Sequence, residues 1–280
     1  MDAASLLAAA APRLAAAGID SPRLDAEVLL AHALGVGRSG LYARVHDVVP
    51  AAAAERFEAL LARRVRREPV AYLTGVQEFW SLPFAVTPAV LIPRPETELL
   101  VELALAQVPS AAAPVVLDVG TGSGCLAVAI AHERSGARIT ALDISRAALE
   151  VARRNAATHG VSQRVTWIAS DLFDGLAADA RFDLIVSNPP YLAPTDAASP
   201  ELASEPRAAL YAGADGLDII RRLIAAAPRR LRPGGQLLIE IAQAQSDAVL
   251  ELARSAGFAA VQVVPDLAGI PRALVAQRGA

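Results

Sequence analysis

The chain contains no lysine: all 26 of its basic residues are arginine. Without an ε-amine there is no Schiff base, no lysine general base and no phosphate-loop lysine, so several enzyme classes fall away together. The alanine and arginine bias fits a high-GC bacterial coding sequence, which accounts for the missing lysine. Cysteine is nearly as scarce. The single Cys125 excludes an internal disulfide, and the four scattered histidines, His32, His46, His132 and His159, have no metal-ligand spacing. No metal is expected, and the setting is a reducing, cytoplasmic one. Hydrophobic residues make up 54 % of the chain, yet much of this is alanine, and no run combines the length and apolarity of a membrane span. The opening "MDAASLLAAAAPRLAAAGID" lacks a basic leader and carries Asp2, Pro12 and Arg13, so it reads as an amphipathic helix rather than a signal peptide. A formal charge of −3 gives no global mark of a nucleic-acid binder, and the local "RRVRRE", Arg63 to Glu68, reads as the solvated face of a helix.

What is present falls into three stretches. From about Ser5 to Arg67 apolar residues recur at helical spacing in three blocks, broken by "GIDSPR" and "GVGRSG", which predicts a small helical bundle over residues 1–70. From Tyr72 to Ile92 the pattern turns β-rich and is punctuated by glycine and proline, predicting a hairpin that links two domains over residues 71–94. "PRPETE" then leads into a helix from about Glu96 to Gln107. Residues 95–280 form the third stretch, where strand-like and helix-like segments alternate. That alternation predicts an α/β domain with a parallel sheet covered on both faces, closed by an antiparallel hairpin of the last two segments.

Within that domain the ends of successive strands carry the candidate chemistry. "VVLDVGTGSGC" sets Gly120, Gly122 and Gly124, with Thr121 and Ser123 between them, at a strand-to-helix turn where missing Cβ atoms let a ligand reach backbone amides. The third glycine comes one residue too early for the dinucleotide fingerprint, which weakens NAD as the ligand. Asp143 closes the next strand, placed for ribose hydroxyls. Asp118, just before the glycines, suits an ammonium group better than a pyrophosphate. Asp171 and the backbone of Leu172 end a third strand, within reach of an adenine edge. Each acid alone reads equally as a cap or turn residue; together, at consecutive strand ends, they point to one nucleotide-like ligand. The strand in "FDLIVSNPPYL" then stops at Asn188-Pro189-Pro190-Tyr191. Two prolines cannot continue a sheet, so the chain leaves as a stiff loop holding Asn188 and Tyr191 just beyond the strand end.

With these motifs the chain resembles a class I S-adenosylmethionine-dependent methyltransferase. More closely it resembles the release-factor glutamine methyltransferase family, PrmC or HemK, through "REPVAYLTGVQEFWSLPFAVTPAVLIPRPETELLVE", "LDVGTGSGCLAVAIA" and "IVSNPPYL" in that order. The resemblance implies a Rossmann-like domain with a seven-stranded, mostly parallel sheet, S-adenosylmethionine bound by Asp118, Gly120, Thr121, Gly122, Ser123, Gly124, Asp143, Asp171, Leu172 and Asn188, and catalysis at Asn188, Pro189, Pro190 and Tyr191. It implies methylation of the glutamine in the Gly-Gly-Gln motif of class 1 peptide-chain release factors, docked by the N-terminal bundle. The Asn188 oxygen and the Pro189 carbonyl would accept both N–H bonds of the amide, and Tyr191 would offer it a flat surface. The competing enzyme is a nucleic-acid amino-methyltransferase, which would need a basic surface; stable nucleic-acid or membrane binding is not expected. A silent adenosine-binding module is the remaining alternative, against which both intact loops count. Gly234-Gly235-Gln236 repeats the substrate tripeptide, but it precedes an apolar strand and reads as a turn rather than a site of automethylation.

Overall fold

The computed structural model describes residues 1–108, 113–196 and 199–280. The helical periodicity at the N-terminus becomes α1 (Ala3–Ala16), α2 (Pro22–Leu34), α3 (Arg38–Tyr42), α4 (Ala51–Val65) and α5 (Val70–Thr74). Asp2 caps α1 by accepting the Ser5 amide at 2.9 Å. Helix α2 begins on Pro22, whose fixed φ suits a first turn, and ends at Gly35 in the left-handed region. Leu7, Leu14, Leu29, Leu30, Phe57 and Leu61 are fully buried between these helices. This compact unit runs over residues 1–76 and takes in residues 199–204. From the latter, Glu201 pairs with Arg64 at 3.3 Å and with Arg67 at 2.9 Å.

The second unit comprises residues 77–196 and 205–280 among those described. It opens on a hairpin of β1 (Val76–Phe79) and β2 (Leu82–Ala85). Strand structure is shorter here than the β-rich pattern predicts: Tyr72–Thr74 finish α5, and residues 86–94 run as irregular chain. The two hairpin turn residues, Trp80 and Ser81, both have positive φ (54° and 56°), a mirror-image turn that non-glycine residues adopt only under constraint. The constraint is visible, since the Trp80 amide donates to Glu98 at 2.7 Å and its indole N–H to Glu133 at 2.9 Å.

After a 3-10 turn at Pro95–Thr97 the elements are α6 (Glu98–Gln107), β3 (Val115–Val119), α7 (Cys125–Glu133), β4 (Arg138–Asp143), α8 (Arg146–Thr158), β5 (Val165–Ala169), β6 (Phe182–Ser187), α9 (Asp218–Ala226), β7 (Leu231–Glu240), α10 (Ser246–Ser255), β8 (Ala260–Pro265) and β9 (Pro271–Gln277). The seven-stranded sheet has the order β5-β4-β3-β6-β7-β9-β8, parallel except where β9 pairs antiparallel with β7 and β8. The predicted mostly parallel sheet with a terminal antiparallel hairpin is therefore present. Strand residues sort by parity. Val116, Leu184, Val186 and Leu238 bury against α6 and α7, while Leu117, Ile185, Leu237 and Ile239 bury against α9 and α10. Gly234-Gly235-Gln236 lies inside β7, not ahead of it as predicted. Gly234 (φ 75°) sits at an irregularity where the pairing with β6 shifts register. Among the described residues no helix is long and apolar enough to cross a membrane.

In this strand order the chain turns one way from β3 to β4 and β5, and the other way from β6 to β7. The crevice outside the carboxyl ends of β3 and β6 is thus the topological switch point, where open α/β sheets bind ligands.

Candidate active site

A cavity of about 530 Å³ opens at that switch point, walled by the glycine turn, the ends of β4 to β6 and the chain around residues 89–97 and 206–213. Gly120, Gly122 and Gly124 all have positive φ (74°, 55° and 82°), so the loop between β3 and α7 takes a path that side chains would strain. A Cβ on Gly120 or Gly122 would enter open space, which is the room a ligand needs against the backbone. One on Gly124 would sit 3.0 Å from Ala152 Cβ, so that glycine serves close packing.

The acids differ in placement. Asp143 borders the cavity, with Oδ2 accepting the Gly122 amide at 2.8 Å and Oδ1 the Ser145 amide at 2.8 Å. Each oxygen keeps a lone pair for a hydroxyl. Burial pushes the Asp143 carboxyl up, against the two amide bonds that lower it. Asp171 and Leu172 also border the cavity; Asp171 pairs with Arg222 at 2.8 Å, and Leu172 is held at φ 47°, a strained conformation for a leucine. Asp118 stands one layer behind the wall. Its carboxylate is fully buried, with Oδ2 accepting from the Thr121 hydroxyl at 2.6 Å and from the Ala127 amide at 3.2 Å, and Oδ1 has no partner. Burial pushes it up to about 7. The Ser123 hydroxyl beside it is likewise buried and unpartnered. An adenosine-bearing cation fits this set: an amide-lined turn free of Cβ atoms, a carboxylate with spare lone pairs, exposed Ile144 and half-buried Leu172 as apolar walls, and buried negative charge behind.

The second half of the cavity is the asparagine loop. Asn188, Pro189 and Pro190 border it directly. Asn188 Nδ2 donates to Thr97 Oγ1 at 2.9 Å, which leaves Oδ1 as the free acceptor. Thr97 Oγ1 in turn donates to Glu240 Oε2 at 2.6 Å, and the Tyr191 hydroxyl donates to Glu240 Oε1 at 3.3 Å. Tyr191 is not on the cavity wall. Its ring packs toward the α9 and α10 face, and burial pushes its phenol up. The wall instead carries Tyr211, with Arg207 4.9 Å above its ring. Loop position is fixed by two devices. The Leu192 amide donates to Leu210 at 2.9 Å and the Ala212 amide to Leu192 at 3.0 Å, while Gln245 Nε2 holds the Tyr191 carbonyl at 3.0 Å and the Gly216 carbonyl at 3.2 Å.

The structure therefore groups Gly120, Thr121, Gly122, Ser123, Asp143, Asp171, Leu172, Asn188, Pro189 and Pro190 around one cavity, with Gly124, Asp118 and Tyr191 behind it. Sequence reasoning missed Thr97, Glu240, Gln245 and Asn155. Asn155, buried in α8, ties Ser123 O at 2.8 Å to the Ala85 amide and carbonyl of β2, bracing the glycine turn from below. Glu240 had a signal, an acid ending the otherwise apolar "LLIE" in the manner of Asp143.

Comparison with known proteins follows the same division. A family model described as the PrmC N-terminal domain matches residues 5–75, and one described as the methyltransferase small domain matches residues 96–265. A release factor glutamine methyltransferase of Cereibacter sphaeroides is 49 % identical over 280 residues, covering 99 % of each chain. That of Burkholderia pseudomallei is 49 % identical over 274 residues, covering 95 % of each. Among solved structures, the 16S rRNA N2 G1207 methyltransferase of T. thermophilus, in complex with AdoMet and guanosine, aligns with a TM-score of 0.56 at 22 % identity, covering 72 % of this chain and 49 % of that one.

Proposed function

The chain belongs to the release factor glutamine methyltransferases, and from that membership we infer that it methylates the side-chain amide of the glutamine in the Gly-Gly-Gln motif of class 1 peptide-chain release factors. S-adenosylmethionine, when bound, supplies a methyl group on a sulfonium centre open to in-line displacement. The residues of this chain do the rest. The turn from Gly120 to Gly124, with Thr121 and Ser123, presents backbone amides to the amino-acid end. Asp143 accepts the ribose hydroxyls, Asp171 and the Leu172 backbone meet the adenine edge, and Asp118 balances positive charge from behind the turn.

The observation that carries the reading is the Asn188 amide: with Nδ2 engaged by Thr97, its oxygen is left as an acceptor at the cavity. An amide nitrogen is a poor nucleophile because its lone pair is delocalised, so catalysis depends on aim. Asn188 Oδ1 and the Pro189 carbonyl accept the two substrate N–H bonds, turn the nitrogen toward the methyl group and favour the positive charge that develops on it. Pro190 adds no backbone donor, so this side of the site repels no N–H. No strong base is required, because the nitrogen turns acidic as the new N–C bond forms. The helical unit, residues 1–76 with 199–204, is read as the docking element for the protein substrate, and the reaction as cytoplasmic.

The test is transfer of labelled methyl from S-adenosylmethionine to purified release factor, with DNA and rRNA offered in parallel. Label on the release-factor glutamine is the expected result. Label on nucleic acid alone would establish the amino-methyltransferase alternative instead.

A further inference from the structure

Resting on the reading that Asn188 receives the substrate amide, we propose that Thr97 and Glu240 are positioning residues that lock the Asn188 side chain with its oxygen, not its nitrogen, toward the substrate. An asparagine amide is nearly symmetric in shape, and a 180° turn about its last bond exchanges acceptor for donor. With NH₂ toward the cavity the site would meet the substrate NH₂ donor to donor. Something must choose the rotamer, and the hydrogen-bond chain behind Asn188 does so.

Glu240 ends β7 and Asn188 follows β6; Ser187 pairs in register with Ile239, which brings the next residues of both strands side by side. Thr97, from the turn before α6, lies between them. Glu240 and Thr97 are each 1 % exposed, so water does not compete for these groups. An ionised carboxylate can only accept. The Thr97 hydroxyl, 2.6 Å from Glu240 Oε2, must spend its single proton there, and toward any other group its oxygen can only accept. The group facing it at 2.9 Å must then be the Asn188 NH₂. Tyr191, donating to the other carboxylate oxygen at 3.3 Å, fixes Glu240 in turn and gives the second half of the Asn-Pro-Pro-Tyr loop a part in the same chain. The polarity is imposed from a buried carboxylate outward.

The groups facing Glu240 are Arg272 on β9, which favours its charged form, and Glu96 before α6, which opposes it. Tyr191 donates to it, and among the more distant charged groups Glu240 acts electrostatically on the Cys125 thiol of α7 and Arg94 on Tyr191. Burial outweighs the favourable contacts and pushes Glu240 up to about 7. Below that pH Glu240 carries a proton of its own and the chain no longer dictates one polarity. Locking therefore strengthens as pH rises through about 7 and is lost on acidification.

The chain has only two asparagines, so protein labelled with ¹⁵N in asparagine side chains gives two NH₂ pairs, and Asn188→Ala identifies one of them. In the full chain, without substrate, Thr97→Val should shift the Asn188 pair toward free-amide positions, and Thr97→Ser should restore it. With release factor as substrate, Thr97→Val should lower kcat about tenfold or more while substrate KM and cofactor Kd stay within about twofold, Thr97→Ser should remain within about threefold of wild type, and the rise of kcat through pH 7 should disappear in Glu240→Gln. An Asn188 pair identical in wild type and Thr97→Val, or equal kcat losses in the valine and serine variants, would overturn the locking role. Failure of the wild-type protein to methylate release factor would sink the functional reading, and the NMR comparison would still decide whether Thr97 locks Asn188.

Discussion

At the scale of single residues the site depends on groups that can do only one thing. If Asn188 is the acceptor of the substrate amide, Asn188→Ala should cut single-turnover methylation by about 10² to 10³ with cofactor affinity little changed; transfer within a few-fold of wild type would reduce Asn188 to a strand terminator. Aspartate, although it keeps an acceptor oxygen, loses the donor that Thr97 receives and places a second carboxylate near Glu240, so Asn188→Asp should be impaired as well. Asp118 yields a different prediction. Burial pushes it up to about 7, so it titrates near neutral pH, and a cation bound in front of it favours the charged form and lowers its pKa. Binding of S-adenosylmethionine near pH 7 should then release protons. Calorimetry in buffers of different ionisation enthalpy would register the release, and Asp118→Asn should remove the larger part of it. A binding enthalpy independent of buffer would show that Asp118 does not sense the ligand.

At the scale of elements, rigid loops aim what the strands only deliver. The Asn188–Tyr191 loop passes so close to Gly216 that a Cβ there would lie 2.2 Å from the Tyr191 carbonyl oxygen, and Gly216 itself has φ 72°. Gly216→Ala must push the loop out of place, and since a misplacement of about 1 Å can cost about 10² in rate, kcat should fall by at least tenfold while cofactor affinity holds. Unchanged kcat would mean that the loop adjusts freely. This loop also marks where the sequence stops being legible. The strand ending in Ser187, the two prolines and the three glycines of the turn announce themselves, because proline and glycine restrict or free the backbone wherever they occur. Alternating strand and helix patterns disclose the sheet for a similar local reason. Thr97, Glu240 and the Gln245 contact with Tyr191 are invisible in that sense, because each acts through a partner 49 to 143 residues away that the local sequence does not disclose. The hairpin was legible as a turn-rich β segment, but its extent was not. Phe79 and Phe84 bury as core residues while Tyr72 and Leu73 close a helix, a difference decided by packing rather than by β propensity.

At the scale of the whole molecule, the helical unit and the sheet domain each have a core of their own. The apolar clusters on the two faces of the sheet are built from residues 79–276, with none from the first 76, and the cavity is lined only by residues 89–223. The helical unit has its own core, from Ala3 to Leu73. Removing residues 1–76 should therefore leave a folded domain that binds S-adenosylmethionine with near wild-type affinity. The cost falls on residues 199–204, where Glu201 loses Arg64 and Arg67. If the helical unit docks the protein substrate, kcat/KM on intact release factor should drop by tenfold or more, since a docking surface contributes binding energy that the small reacting amide cannot replace. A short peptide carrying Gly-Gly-Gln, which offers nothing to dock, should be methylated equally by the truncated and full-length chains. Equal losses on peptide and protein would mean that the truncation had damaged the site itself. Full kcat/KM on intact release factor would mean that residues 1–76 serve some purpose other than recognition.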